Sequence, residues 1–272
     1  MRFLSGREAV LKHIFETDDE APLTPVAVTV TVTREGRTTA ATSGTAIRNG
    51  DVYTFAAGSL PLGVYTVRWD GGTAAVDTSW FEVVGGHLFT VAEVRAYDAD
   101  LSADRFPTSA VVRLRDYIAG EFESITGRSF VTRCRRIPVE LDGSCSPLPL
   151  VDVQATTFED SAGQTVYAVS VEPVGPFTLA EGEGSYTAEL TYGFRSVPDD
   201  VKRAALLRIR TLLFAERSGI PDRATSFQPA EGGTYTLATP GVRGSETGIP
   251  DVDAVLGRYG FDVLDDLAGV LL

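Results

Sequence analysis

Two histidines, two cysteines and two short acidic runs are the residues of this chain best suited to chemistry, and their spacing decides how much they can do. His13 and His87 flank a strand-rich stretch. Neither has a serine or cysteine beside it in a known motif, so a histidine-dependent triad is not expected and both read as surface or hinge residues. Cys134 and Cys145 stand eleven apart with no CxxC partner and no neighbouring histidine. That spacing argues against zinc. A strand pair could bring the two thiols together, but the favoured reading is two reduced cysteines packing as small apolar groups. Asp18-Asp19-Glu20 and Asp251-x-Asp253 could hold a divalent cation, yet both lack the spaced oxygens and central glycine of an EF-hand. A solvated turn and a helix start explain them better. GxSxG is absent, Ser245 reads as a loop serine, and neither Lys12 nor Lys202 follows a glycine as a phosphate loop requires. The expectation is a protein that is not an enzyme, with no catalytic residue, cofactor or metal.

Arginine is the remaining candidate. Arg128, Arg133, Arg135 and Arg136 form the strongest basic cluster and would be the place for nucleic-acid contact. Strand alternation splits them, however, with Arg133 and Arg135 on one face and Arg136 on the other. Residues 89–272 also carry 17 basic against 27 acidic residues, and the whole chain has a net charge of -13. Phosphate binding by bulk charge is therefore disfavoured. Arg133, Arg135 and Arg136 are expected to form salt bridges to a neighbouring subunit, because guanidinium pairs well with carboxylate.

The elements that would position these groups fall into two parts. From Val10 to Val84 the pattern is strands and turns. Val26, Val28, Val30 and Val32 alternate with Ala27, Thr29, Thr31 and Thr33, which predicts a half-buried strand with a valine face. Further strands are expected at 52–56, 63–69 and 74–84, with Asn49-Gly50 and Asp70-Gly71-Gly72 at turns. Such spacing predicts a small β-sandwich over residues 1–86. Leu60-Pro-Leu-Gly-Val-Tyr-Thr-Val67 resembles the late hairpin of bacterial and phage immunoglobulin-like domains.

Gly85-Gly86 marks the expected boundary, and residues 87–272 form the second domain. Thr90 and Glu93 make a capping box for a short helix through Tyr97. Thr108 then caps a longer helix with Val111, Leu114, Ile118, Phe122 and Ile125 on one face, stopped by Gly127. Strands return at 131–141, 151–158, 165–171 and 186–194. A second long helix starts at Pro198, with Asp199 and Asp200 in its first turn and Val201, Ala205, Ile209 and Leu212 on one face. Residues 221–250 are rich in proline and glycine and lack periodicity, as an arm that needs a partner would. Within it, residues 234–239 could add as a strand to another chain's sheet. Pro250 starts a short helix with Val252, Val255, Leu256 and Tyr259 on one side, and the tail to Leu272 is apolar and acidic. The class is α+β overall: an N-terminal all-β immunoglobulin-like sandwich, then a helical-core domain with a β-rich insertion and a C-terminal arm from about 221.

Hydrophobic residues at 43% and charged residues at 22% fit a globular chain and exclude collagen, coiled coil and disorder throughout. No apolar run reaches the roughly 18 residues of a membrane span. The first twenty residues show no apolar core followed by a small-residue cleavage site, so cytosolic synthesis is expected.

Four segments carry a family resemblance: Phe89-Thr-Val-Ala-Glu-Val-Arg95; Phe106-Pro107 leading into the helix that ends Ile125-Thr-Gly-Arg-Ser-Phe130; Val197-Pro-Asp-Asp-Val-Lys-Arg-Ala204; and Thr247-Gly-Ile-Pro-Asp-Val-Asp-Ala-Val-Leu256. In this order and spacing, residues 89–260 resemble the head-to-tail connector, or adaptor, proteins of long-tailed bacteriophages. The resemblance implies a helical core, a β-rich insertion and a C-terminal arm. It implies a structural virion protein at the head-tail junction, present in host cytoplasm during assembly. A homo-oligomeric ring of roughly twelve subunits would dock on the portal protein, meet the next neck or stopper protein, and pass DNA through its lumen without reading sequence. The implied portal or subunit contacts are Tyr235, Leu237, Val242, Arg243, Ile249, Val252, Val255, Leu256 and Tyr259. The alternatives are another neck protein, such as a stopper or tail terminator, and a cell-surface or carbohydrate-binding protein with an immunoglobulin-like module.

Overall fold

The computed structural model describes residues 1–17, 19, 21–73, 75–215 and 246–260, with the backbone of 226–227 and 235–236. The chain is mixed α+β and rich in strand. It divides into two compact units, neither contiguous in sequence: Met1–Gly86 with Thr132–Gly193, and His87–Val131 with Phe194–Leu272.

The first unit opens with ten strands: β1 (Arg2–Leu4), β2 (Glu8–His13), β3 (Phe15–Glu16), β4 (Pro22–Leu23), β5 (Thr29–Arg34), β6 (Ala40–Thr45), β7 (Ile47–Asn49), β8 (Val52–Ser59), β9 (Gly63–Asp70) and β10 (Val76–Val84). One sheet runs β1-β10-β9-β5-β6 and a second β2-β8-β7, with β3 and β4 as a separate pair. Between the sheets lies one apolar cluster, to which β5 gives Val30 and Val32, β9 gives Tyr65, Val67 and Trp69, and β2 and β8 give Leu11, Tyr53 and Phe55. Alternation places these side chains, since period two sends every second residue of a strand to the same face. The valine face holds for Val28, Val30 and Val32 but not for Val26, which precedes the strand and is 99% exposed. His13 is half-buried. It lies between Trp69, stacked at 5.1 Å, and Phe15, edge-on at 4.4 Å, where burial lowers its pKa despite Asp77 and Glu16 nearby.

The same unit contains β11 (Arg133–Asp142), β12 (Ser146–Pro147), β13 (Val153–Glu159), β14 (Thr165–Val166), β15 (Ser170–Val174), β16 (Phe177–Glu181) and β17 (Glu183–Tyr192). They form sheets β11-β17-β13-β14 and β12-β16-β15 around Leu141, Leu148, Phe158, Ala180, Ala188 and Leu190. Residues 132–193, read from sequence as an insertion in the second domain, thus group with the N-terminal sandwich. Backbone and charge both contribute to that grouping: Gly85 N–H donates to the Thr132 carbonyl at 2.8 Å, and four sets of ion pairs, detailed below, join the strands.

The second unit holds α1 (Val91–Tyr97), α2 (Thr108–Thr126), α3 (Asp199–Ala215) and α4 (Pro250–Tyr259), with a backbone pairing of β18 (Ser226–Phe227) and β19 (Tyr235–Thr236). The capping box of α1 forms as predicted, Thr90 and Glu93 each accepting from the other's backbone N–H. Gly127 ends α2 at φ 68°, the left-handed region that glycine enters without a Cβ penalty. Thr108 lies inside α2 and Pro107 takes the N-cap place, with no side-chain bond. Val111, Leu114, Ile118 and Phe122 of α2 and Val201, Ala205 and Ile209 of α3 are buried, as the periodicity requires. Arg95 fixes the loop between α1 and α2 by donating to the carbonyls of Leu101, Ser102 and Phe106.

Candidate functional site

Strand β11 sets up the arginine cluster. Its alternation turns Cys134 and Arg136 to one face, where β17 presents Glu189 opposite Arg136 and β13 presents Glu159. Arg136 pairs with both, at 2.8 Å to Glu159 and 2.7 Å to Glu189. Onto this face comes the turn after β5. Arg34 grips Glu189 with two N–H donors at 2.9 and 3.2 Å and Arg37 reaches Glu159 at 2.7 Å. The turn must pass close to allow this. Gly36 sits at φ 68°, and a Cβ there would meet Arg136 Nε at 3.2 Å. Beside it Glu35 takes both donors of Arg135 at 2.9 Å. Glu82, almost wholly buried, lies between Arg133 at 2.5 Å and Arg2 at 3.3 Å.

Electrostatics follow from this geometry. Arg136 holds the Glu159 carboxyl below the ordinary glutamate value. Burial works to raise Glu189, but hydrogen bonds and charge from Arg34 and Arg136 outweigh it and the net direction is down. Cys134 is pushed up by burial and then by Glu189, which keeps it a thiol rather than a nucleophile. Cys134 and Cys145 are both free, one buried and one exposed. Arg133, Arg135 and Arg136, expected to reach a neighbouring subunit, find these carboxylates within their own chain. The partners were hidden because they lie 23 to 100 residues away in sequence. Among the described residues no group of histidine, cysteine, aspartate or glutamate could hold a metal ion.

In the helical unit the expected contact residues separate into three sets. Leu237, Val242 and Arg243 lie outside the described residues, and of Tyr235 only the backbone is described, paired with Phe227. Val252 and Leu256 are 0% and 1% exposed, so they serve this unit's own core rather than an outer contact. That is a correction, and its cause is the way α4 is held. Arg208 of α3 binds Glu121 of α2 at 2.6 and 2.9 Å and donates to the Thr247 carbonyl at 3.0 Å. Thr247 in turn donates to the buried Asp253 from its backbone N–H at 2.9 Å and its hydroxyl at 2.7 Å. Tyr259 donates to Asp200 at 2.9 Å, packs edge-on to Phe130 at 5.3 Å and lies 6.0 Å from Phe194. Ile249 and Val255 remain half-buried.

Val255 lines a groove of about 520 Å³ with Tyr97, Asp200, Arg203, Ala204, Leu207, Asp251 and Arg258. Arg258 leans on Asp200 at 2.7 Å, whereas Arg203 has no ion-pair partner among the described residues. No helix among the described residues is long and apolar enough to cross a membrane.

No family model and no curated protein matches this chain. Among solved structures it is similar to a chain in the virion of a native gene transfer agent particle, at 20% identity and a TM-score of 0.42 over 64% of this chain and 90% of that one. A likeness of that size assigns neither fold nor role.

Proposed function

We propose that the chain is a structural virion protein of the phage neck: a ring-forming connector that docks on the portal and joins head to tail while DNA passes through. One observation supports this reading above others. The four segments that resemble connector proteins are scattered over 168 residues of sequence, yet all fall in the helical unit. There they form α1 with its cap, the start and end of α2, the first turn of α3, and the Thr247 to Leu256 entry of α4. Some of their residues take part in ion pairs and hydrogen bonds of this unit. Glu93 receives Lys202 at 3.0 Å, Asp200 receives Arg258, and Asp253 receives Thr247.

The N-terminal sandwich is proposed to be immunoglobulin-like. Its order β1-β10-β9-β5-β6 against β2-β8-β7 corresponds to strands A′-G-F-C-C′ against B-E-D. Tyr65, early in β9, donates to the Pro61 carbonyl four residues upstream at 2.8 Å, the geometry of a tyrosine corner. In this reading the β-unit decorates the ring and the helical unit builds it. Repeated heterologous contacts close the ring at roughly a dozen copies. Reconstruction of an intact neck tests the reading: a closed ring of this chain beneath the portal is expected, and a single copy or no ring overturns it.

A further inference from the structure

The sheet of β1, β10, β9, β5 and β6 buries one face and leaves most of the other open. Val30, Val32, Tyr65, Val67, Trp69 and Phe81 fill the apolar cluster, so by alternation their neighbours point outward. Register sets those neighbours in rows. Trp80 stands beside Thr66, and Thr66 beside Thr33. In the next row Thr78 stands beside Arg68, Arg68 beside Thr31, and Thr31 beside Ser43. A third row runs through Asp70, Thr29 and Thr45. The result is a face rich in hydroxyls with one indole, and that indole is 67% exposed.

Charge and size narrow what such a face can bind. Arg68 is taken by Asp70 at 2.9 Å and the chain carries a net charge of -13, so nothing here attracts phosphate. With strands about 4.8 Å apart and alternate residues about 6.8 Å apart along each, three rows over four strands cover roughly 200 Å². A stable protein interface needs roughly 800 Å² on each partner. The face cannot extend past Trp80 along β10, because the next outward residue, Glu82, is bound by Arg133 of β11. What fits is a neutral, narrow ligand that carries both hydroxyls and C–H surface. An indole ring offers apolar area to the C–H side of a sugar ring. Threonines on strands are stiff at χ1, so their hydroxyls lose little freedom when they bind. We propose that this outer face binds a neutral glycan, with a sugar ring stacked on Trp80 and its hydroxyls exchanging hydrogen bonds with Thr66, Thr33 and Thr78. The proposal goes beyond the neck reading and does not depend on it.

The intact chain has its own reporter. Trp69 is 1% exposed and Trp80 is the only other tryptophan, so quenching of fluorescence by acrylamide reads Trp80. The probes are soluble neutral polysaccharides built from glucose, mannose or galactose, with heparin and duplex DNA as charged comparisons. At least one neutral polysaccharide is expected to lower the quenching constant at least twofold and to retard the chain in a gel that contains it. Trp80→Ala should weaken that retardation at least tenfold and Thr66→Val at least threefold, while Trp80→Tyr keeps part of it. The urea midpoint of Trp80→Ala should match that of the native chain, since the side chain it removes lies outside the core. Retardation unchanged by Trp80→Ala overturns the proposal, as does protection by heparin or DNA alone or by no probe at all. Self-association that Trp80→Ala abolishes, without protection by any polysaccharide, overturns it in favour of a second copy on this face.

Discussion

Arg136 is the residue on which most buried charge depends. Its side chain is 3% exposed and answers two carboxylates, so removing it leaves Glu159 and Glu189 without their shared cation. Breaking a buried pair costs more than losing a surface one, and here the cost is moderated because Arg34 still grips Glu189 and Arg37 still reaches Glu159. Arg136→Met is therefore expected to destabilise the chain by about 1.5–3 kcal/mol in urea unfolding. A variant that also carries Glu159→Gln and Glu189→Gln should recover part of this, since the carboxylates left with only Arg37 and Arg34 are then neutral. The pH dependence has a definite sign. Both carboxyls are depressed below the ordinary glutamate value of 4.5, so their contribution is complete above that value and is lost as pH falls through their folded values. The thermal midpoint should fall more steeply below pH 4.5 in the native chain than in Arg136→Met, and parallel curves would assign the acid sensitivity elsewhere. Little of this was legible in the sequence. Alternation correctly set Arg136 on the opposite face from Arg133 and Arg135, but nothing local says that Arg34, 155 residues from Glu189, meets the same carboxylate.

Elements were read best where their signals are local. The capping box at Thr90, the apolar stripe of α2 and the glycine stop at Gly127 each involve residues within one or two turns, and each formed. Edge strands were missed. β6, with small and polar residues exposed along it, offers no alternating apolar face from which to read a strand. α4 was found as a helix but assigned to an arm, because the neighbouring proline- and glycine-rich run hid the bond from Arg208 to the Thr247 carbonyl, 39 residues away. Two substitutions test elements directly. Tyr65→Phe removes the bond to Pro61 and leaves a carbonyl without its donor, at an expected cost of about 1–3 kcal/mol in urea unfolding. Leu256→Ala should cost about 2–5 kcal/mol, because it empties a site that is 1% exposed. A change below about 0.5 kcal/mol at Leu256 would return α4 to the role of an arm.

At the scale of the whole molecule, the units are not the halves of the sequence. A cut at Gly86 separates Glu35 from Arg135 and Glu82 from Arg133, so residues 87–272 alone lose both of these ion pairs. Scanning calorimetry of the intact chain should resolve which residues melt together. Arg136→Met is expected to lower the transition shared by residues 1–86 and 132–193, while Leu256→Ala lowers the other. If both substitutions shift a single transition equally, the two units do not unfold independently.

Interleaved units also set an order of events during synthesis. α2 ends at Thr126 and its packing partner α3 begins only at Asp199, so about 70 residues are added in between. At about 5–20 residues per second, Val111, Leu114, Ile118 and Phe122 wait roughly 4–15 s outside the ribosome without α3 to cover them. During that interval the strands of residues 132–193 are emerging. The β-unit can therefore close while the helical unit is still open, and a nascent chain stalled after Gly193 would present a finished sandwich pair attached to a bare amphipathic helix, the kind of surface on which a chaperone acts.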